Sequence, residues 1–190
     1  EPNADSSSWT MKLRPGVTFG NGDPLTAEVA KASIERHTAQ GSVSTAKPEL
    51  AQVKAMVVVD ELTLRFDLVE PWGTFPYVLA DMAGMIVNPR VVKANEANND
   101  WAATWLASNA AGSGAYTLDA TTYRPLERVD LKRNPAHFYG WSDNPKAPQQ
   151  VQILPTRETS TRVLALLQGS VDMTDSYLPT DQVERIQKSK

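Results

Sequence analysis

Trp9-Thr10-Met11-Lys12-Leu13-Arg14-Pro15-Gly16-Val17-Thr18-Phe19, continuing to Gly22-Asp23-Pro24-Leu25-Thr26-Ala27-Glu28-Val29, decides how this chain is read. The order predicts a strand, a tight turn at Pro15-Gly16, a second short strand, a Gly-Asp-Pro loop and a helix. Thr26 stands at the N-cap, where a hydroxyl accepts from an unpaired first-turn N–H, and Glu28 complements the positive helix end. Val29, Ala30, Ser33 and Ile34 recur at helical spacing, and the helix should fade before Gly41-Ser42. Residues 1–8 are polar and serine-rich, a loop leading into the first strand.

Outward from that stretch lies the cleanest periodicity. Met56-Val57-Val58-Val59 is followed by Asp60-Glu61 and then by Leu62, Leu64, Phe66 and Leu68 alternating with Thr63, Arg65 and Asp67. A period of two marks a strand with one buried face, so a hairpin is expected. Asp60-Glu61 lacks the glycine of a two-residue primed turn, and the loop is expected to borrow a neighbour. After Glu70-Pro71, a short helix carries Pro76 in its first turn. Met85-Ile86-Val87 reads as a short strand and Asn88-Pro89 as the start of another helix. Trp101, Trp105 and Leu106 are expected on one helical face.

Beyond Gly112-Ser113-Gly114 strands take over. Residues 115–120 and 126–133 read as a pair ended by Asn134-Pro135, since proline cannot donate to a ladder. Residues 139–149 form a polar loop, and 151–154 a strand. Thr156 is expected to cap a helix with Ser160, Val163, Leu164 and Leu167 on one face. Gly169 takes the left-handed position after that helix. Val171-Asp172-Met173 reads as a strand, and 180–188 as a helix behind Pro179. The irregular mixture predicts an α/β fold with mixed sheets.

Composition narrows the function. The 190 residues are 41% hydrophobic and 22% charged, as expected of a folded globular chain. The formal charge of −3 and pI near 5.4 argue against a nucleic-acid partner. Absence of cysteine excludes disulfides and thiolate metal sites. No catalytic residue is assigned: His37 and His137 lack a nucleophile and orienting acid in any recognisable pattern, and no Gly-x-Ser-x-Gly elbow occurs. Gly112-Ser113-Gly114 lacks the lysine of a phosphate loop. Asp172, Asp175 and Asp181 lack the central glycine of a calcium loop and read as solvated surface, so neither metal nor cofactor is expected. Trp72, Phe75, Tyr77, Trp101 and Trp105 are expected in the core. Trp141, in a polar loop, is expected to pack on a part of the protein outside this chain or on a partner.

Several motifs in order carry a resemblance. They are Leu13-Arg14-Pro15-Gly16-Val17-Thr18-Phe19, Leu25-Thr26-Ala27-Glu28-Val29, Asp60 with Leu68-Val69-Glu70-Pro71, and Gly112-Ser113-Gly114-Ala115-Tyr116. Arg133-Asn134-Pro135-Ala136-His137-Phe138-Tyr139-Gly140, with one extra residue, and Leu166-Leu167-Gln168-Gly169-Ser170-Val171-Asp172 complete the set. Together they resemble the family 5 extracellular solute-binding proteins of peptide- and nickel-importing ABC transporters. The first loop departs from the family's Asp-Gly, reading Gly20-Asn21-Gly22-Asp23.

The resemblance implies a periplasmic-binding-protein-like (type II) fold, of which this chain is a middle fragment. Residues 1–105 would be the accessory α/β domain and 106–190 the incomplete central part of the first ligand-binding lobe. The opening Glu1-Pro2-Asn3-Ala4-Asp5-Ser6, with neither basic start nor apolar h-region, fits that expectation. The implied function is capture of peptides or similar small solutes by closure of two lobes, with delivery to ABC permease subunits. The implied location is extracytoplasmic, periplasmic or lipid-anchored at the outer face of the cell membrane. The alternative is a ligand-sensing domain of a regulatory protein with the same fold. A half-cleft cannot desolvate a solute, so the isolated chain is expected to bind weakly and to expose apolar surface through which it can dimerise. Two segments are candidates for the cleft wall: Asp81-Met82-Ala83-Gly84-Met85, and Thr174-Asp175-Ser176-Tyr177. Ligands gather beyond the carboxyl ends of strands in open α/β sheets, which favours the second; resemblance supports both. The competing reading makes Met82 and Met85 core filler and Asp175 and Ser176 a helix-entry turn.

Overall fold

A computed structural model describes every residue except Gln40, Gly41, Val43 and Lys190. The chain forms two compact units, Glu1–Tyr123 with Asp130–Val151, and Arg124–Val129 with Gln152–Lys190.

In the first unit β1 (Ser8–Lys12), β2 (Val53–Asp60) and β3 (Thr63–Leu68) form an antiparallel sheet in the order β1-β3-β2. The register sets Trp9 opposite Phe66 and Met11 opposite Leu64, with Met56 and Val58 on the other side of the same two residues. Period-two geometry therefore collects these apolar side chains on one face. Ala27, Ala30 and Ile34 of α1 (Ala27–Thr38) and Phe75 join Leu64, Phe66 and Leu68 in the buried cluster. The Phe66 and Phe75 rings meet at 5.2 Å. Burying each such ring is worth about 1.5–3 kcal/mol.

The expected cap is present: Thr26 Oγ1 accepts from Val29 N at 3.3 Å. The expected stop at Gly41 lies outside the described residues, and α1 ends at Thr38. Glycines at 16 and 22 supply the positive φ (75° and 88°) that the Pro15-Gly16 turn and the following loop require. The second short strand shrinks to one bridge, Thr18 to Pro24. Phe19 N donates to Asp23 O and Gly22 N to Phe19 O, which closes the chain on itself before a ladder can extend. At the hairpin, Asp60 Oδ1 accepts from Leu62 N at 2.9 Å, an Asx turn in place of the glycine. Leu62 thus lies in the turn and leaves the buried row to Leu64, Phe66 and Leu68.

Three expectations over residues 77–106 are corrected. Residues 85–87 are not a strand, because their polar groups are met individually: Val87 N by Ser33 Oγ at 2.9 Å, and the next N–H, of Asn88, by Ala111 O. Asn88 does start a helix, α3 (Pro89–Ala94). Trp101 does not share a helical face with Trp105: Trp101 and Ala102 have φ of 54° and 56°, and α4 runs only over Ala103–Leu106. Asp100 draws in the N–H groups of Ala97, Ala102 and Thr104, and this local bonding outcompetes an earlier helix start. Tyr77, on α2 (Phe75–Leu79), is 78% exposed, because the helix turns Phe75 and not Tyr77 to the core.

A second sheet has the order β4-β5-β6, from β4 (Tyr116–Leu118), β5 (Val129–Arg133) and β6 (Gln150–Ile153). The first pair is shorter than expected, since 119–128 is taken up by turns with Leu126 at φ 63°. Trp141 is pinned within its own unit, against the expectation of an outside partner. Its Nε1 donates to Asn134 O at 2.8 Å, Tyr116 meets its ring edge-on, and the Arg133 guanidinium lies 3.9 Å from the ring centre.

In the second unit α5 (Thr159–Leu167) packs on α6 (Thr180–Gln187). Thr156 does not cap α5; its carbonyl accepts from Arg162 Nη1 at 2.8 Å, and Glu158 takes the cap position. The buried face is rotated from the expected one: Val163 is fully buried, while Ser160 and Leu164 are exposed. Gly169, at φ 69°, ends the helix as expected. Gly169 N donates to Leu166 O and Ser170 N to Ala165 O, the paired bonds of a Schellman ending. Residues 171–173 form no strand: among the described residues no neighbour offers them a ladder, and Met173 is exposed.

Candidate functional site

The first candidate segment sits in the first unit, where α2 is followed by a 3-10 turn over Met82–Gly84. Asp81 Oδ1 accepts from Met82 N at 2.7 Å, so this carboxylate caps the turn. Ala83 is buried under it. Gly84 lies so close to the preceding helix that an added Cβ would fall 1.9 Å from Leu79 O. Flanking this close approach, Met82 is 48% and Met85 63% exposed. Both methionines are therefore surface side chains and not core filler. They offer polarizable apolar area that adapts to different contacts.

The second segment belongs to the second unit. Asp175 uses both oxygens on its own chain: Oδ1 accepts from Tyr177 N at 3.0 Å, and Oδ2 pairs with Arg162 Nε at 3.0 Å. Arg162 reaches back from α5 to the carbonyls of Thr156 and Arg157 and to Thr159 Oγ1. Thr174 is half-buried, with an Oγ1 that finds no hydrogen-bond partner among the described residues. Ser176 and Tyr177 are exposed, Tyr177 at 90%. Asp175 thus shapes the turn, and Tyr177 is the side chain it presents. Sequence reasoning passed over Arg162; a lone arginine inside an apolar helix stripe was the available signal.

Among the described residues neither histidine is shown with both a nucleophile and an orienting carboxylate. His37 is buried against Ser44 Oγ, and burial, followed by the Arg36 charge, pulls its pKa below the usual imidazole value. His137 stands among the rings of Phe138, Tyr139 and Trp141. Among the described residues no group of three or more His, Cys, Asp or Glu side chains converges as a metal site. No helix of the described residues is long and apolar enough to cross a membrane.

Residues 1–190 match the family described as bacterial extracellular solute-binding proteins, family 5 Middle. The probable D,D-dipeptide-binding periplasmic protein DdpA of Escherichia coli K12 is 34% identical over 185 residues, covering 97% of this chain and 34% of that protein. Two solved structures share the fold. One is AgaA of A. tumefacien R10 in complex with agropinic acid, with TM-score 0.81 and 24% identity over 99% of this chain and 35% of that one. The other is Haemophilus influenzae OppA in complex with the peptide RPPGFSPFR, with TM-score 0.80 and 22% identity over 99% of this chain and 38% of that one. The chain spans about a third of the length of these relatives. With mixed α/β architecture, the fold of periplasmic binding proteins and a family match over its whole length, the chain belongs to the bacterial extracellular solute-binding proteins, family 5.

Proposed function

We propose that the full-length protein containing this chain captures a peptide or similar small solute outside the cytoplasm and delivers it to ABC permease subunits. The match of all 190 residues to a family of solute-binding proteins, not enzymes, carries the reading. Membership of an extracellular family sets the location outside the cytoplasm. Peptides lead among solutes because the 34%-identical relative is named for D,D-dipeptides. Residues 1–105 take the accessory role and 106–190 the role of the central part of the first lobe. Within their own units, Met82 and Met85 beside the Asp81 cap, and Ser176 and Tyr177 on the Thr174-Asp175 turn, are the candidate solute contacts.

A thermal-shift screen of the full-length protein against D,D-dipeptides, the peptide RPPGFSPFR and agropinic acid tests this reading. A solute at 100 times its Kd adds about 2.7 kcal/mol of stability and raises the midpoint. Tyr177→Ala should weaken the binding seen, with the midpoint of the unliganded protein nearly unchanged. A protein that no such solute stabilises would argue against solute capture; unaltered affinity in Tyr177→Ala would remove that residue from the site.

A further inference from the structure

Asn21-Gly22 is the one Asn-Gly pair in the chain. In such a pair the glycine N–H attacks the preceding side-chain amide readily, because no Cβ obstructs ring closure. Asn88, Asn134 and Asn144 precede prolines, whose nitrogens carry no hydrogen and cannot make this attack. Chemical lability is thus concentrated at one exposed loop, and the structure shows what restrains it.

Both reacting groups are held. Gly22 N donates to Phe19 O at 2.9 Å, so the N–H that would attack is already engaged. The Asn21 amide is held three times: Nδ2 donates to Asp23 Oδ2 at 2.9 Å, while Oδ1 accepts from Asp23 N at 3.2 Å and from Asn88 Nδ2 at 3.2 Å. Asn88 is 2% exposed and also donates to Asp23 Oδ2 at 2.8 Å. Its own Oδ1 accepts from Arg90 N at 2.9 Å, so the restraint is continuous with the start of α3. Arg90 Nη1 closes the set on Asp23 Oδ1 at 3.2 Å.

We propose that Asn21 is a latent modification site: it deamidates when this loop opens, and the carboxylate formed then weakens the restraint that had protected it. Gly22 N bonds to Asn21 Cγ, the Cγ–Nδ2 bond breaks, and ammonia leaves carrying the amide proton. Solvent water opens the resulting succinimide at either carbonyl, leaving aspartate or isoaspartate at position 21. The product sets a carboxylate oxygen where Nδ2 had donated to Asp23. In the native loop the Asp23 pKa is lowered first by the Asn88 hydrogen bond and then by that of Asn21; deamidation removes the second, while the Asn88 bond and the Arg90 charge still favour the carboxylate. Two ionised carboxylates at that separation repel. The isoaspartate product also adds a backbone methylene to a loop closed at Phe19 and Asp23.

Mass-spectrometric peptide mapping after incubation in heavy-oxygen water at mildly alkaline pH follows the conversion, since ring opening places a solvent oxygen in the new carboxyl. The native chain should convert at least about tenfold more slowly than the chain in urea, because only the open fraction reacts. Asp23→Ala should lose most of that protection. Asn21→Asp provides a second readout: its thermal midpoint should lie below that of the native chain at neutral pH, and the difference should narrow as pH drops through the carboxylate range. Equal native and unfolded rates, full protection in a folded Asp23→Ala chain, or an unchanged midpoint in Asn21→Asp would overturn the proposal.

Discussion

Asp100 shows how much one side chain decides. Its Oδ1 accepts from Ala97 N and Ala102 N, and its Oδ2 from Thr104 N, at 2.9–3.0 Å. These bonds, with that from Ala97 the strongest cause, lower its pKa from 3.8 to about 2. A carboxylate whose folded pKa is depressed stabilises the fold above its unfolded pKa, and that contribution fades as pH falls through the folded value. Asp100 should therefore make part of the chain's acid sensitivity between about pH 4 and pH 2. Asp100→Asn should melt lower at neutral pH and lose its share of the midpoint change across that window, as thermal melts followed by circular dichroism at a series of pH values would show. An Asp100→Asn chain with the wild-type pH profile would mean that the carboxylate is immaterial. Four left-handed non-glycine residues, Asn98, Asn99, Trp101 and Ala102, surround it. Each such conformation costs about 1–2 kcal/mol in an ordinary L residue, so the Asp100 bonds offset strain as well as define the turn.

Among elements, close packing of α2 against the 3-10 turn after it is the most sensitive joint. A Cβ at Gly84 would meet the backbone of Leu79 at 1.9 Å from O and 2.7 Å from C, atoms that cannot swing aside. Gly84→Ala should cost about 3 kcal/mol, the upper end of overpacking penalties, and urea unfolding would measure it. A loss below about 1 kcal/mol would mean that the turn relaxes freely. The hairpin and the cap on α1 illustrate the opposite case, where short-range chemistry settles the element. Alternation from Leu62 to Leu68 predicted a buried row that the structure shows over Leu64, Phe66 and Leu68, and Thr26 accepts from Val29 N as its position required. Two motifs far apart in sequence also prove to be physical neighbours. Arg14 Nη2 donates to Tyr139 OH at 3.1 Å with its guanidinium 4.6 Å from that ring, joining the Pro15-Gly16 turn to the Asn134-Pro135 corner.

At the scale of the molecule the cores are unequal. The first unit buries Leu64, Phe66, Phe75 and the α1 face together. In the second, Val163 is fully buried, but Ile153, Leu154, Leu164 and Met173 are exposed. Local stability follows buried apolar contact, so amide hydrogen exchange should be slowest in β3 and α1 and fastest across 171–179 and α6. Uniform protection through both units would contradict that ordering. The sequence by itself determined the mixed α/β class, the hairpin, the α1 cap, the Gly169 ending and the family, because each rests on contacts within a few residues or on motif order. Tertiary structure decided what needs a partner from afar. Residues 85–87 and 171–173 have strand-like composition but no ladder, and a strand exists only with a neighbour to bond. Tyr77 was legible as hydrophobic but not as exposed, and Met82 and Met85 stood between cleft wall and core filler, since burial depends on which neighbours the fold supplies. Asp175 was legible as a polar turn residue, whereas its engagement by Arg162 required α5 to be in place.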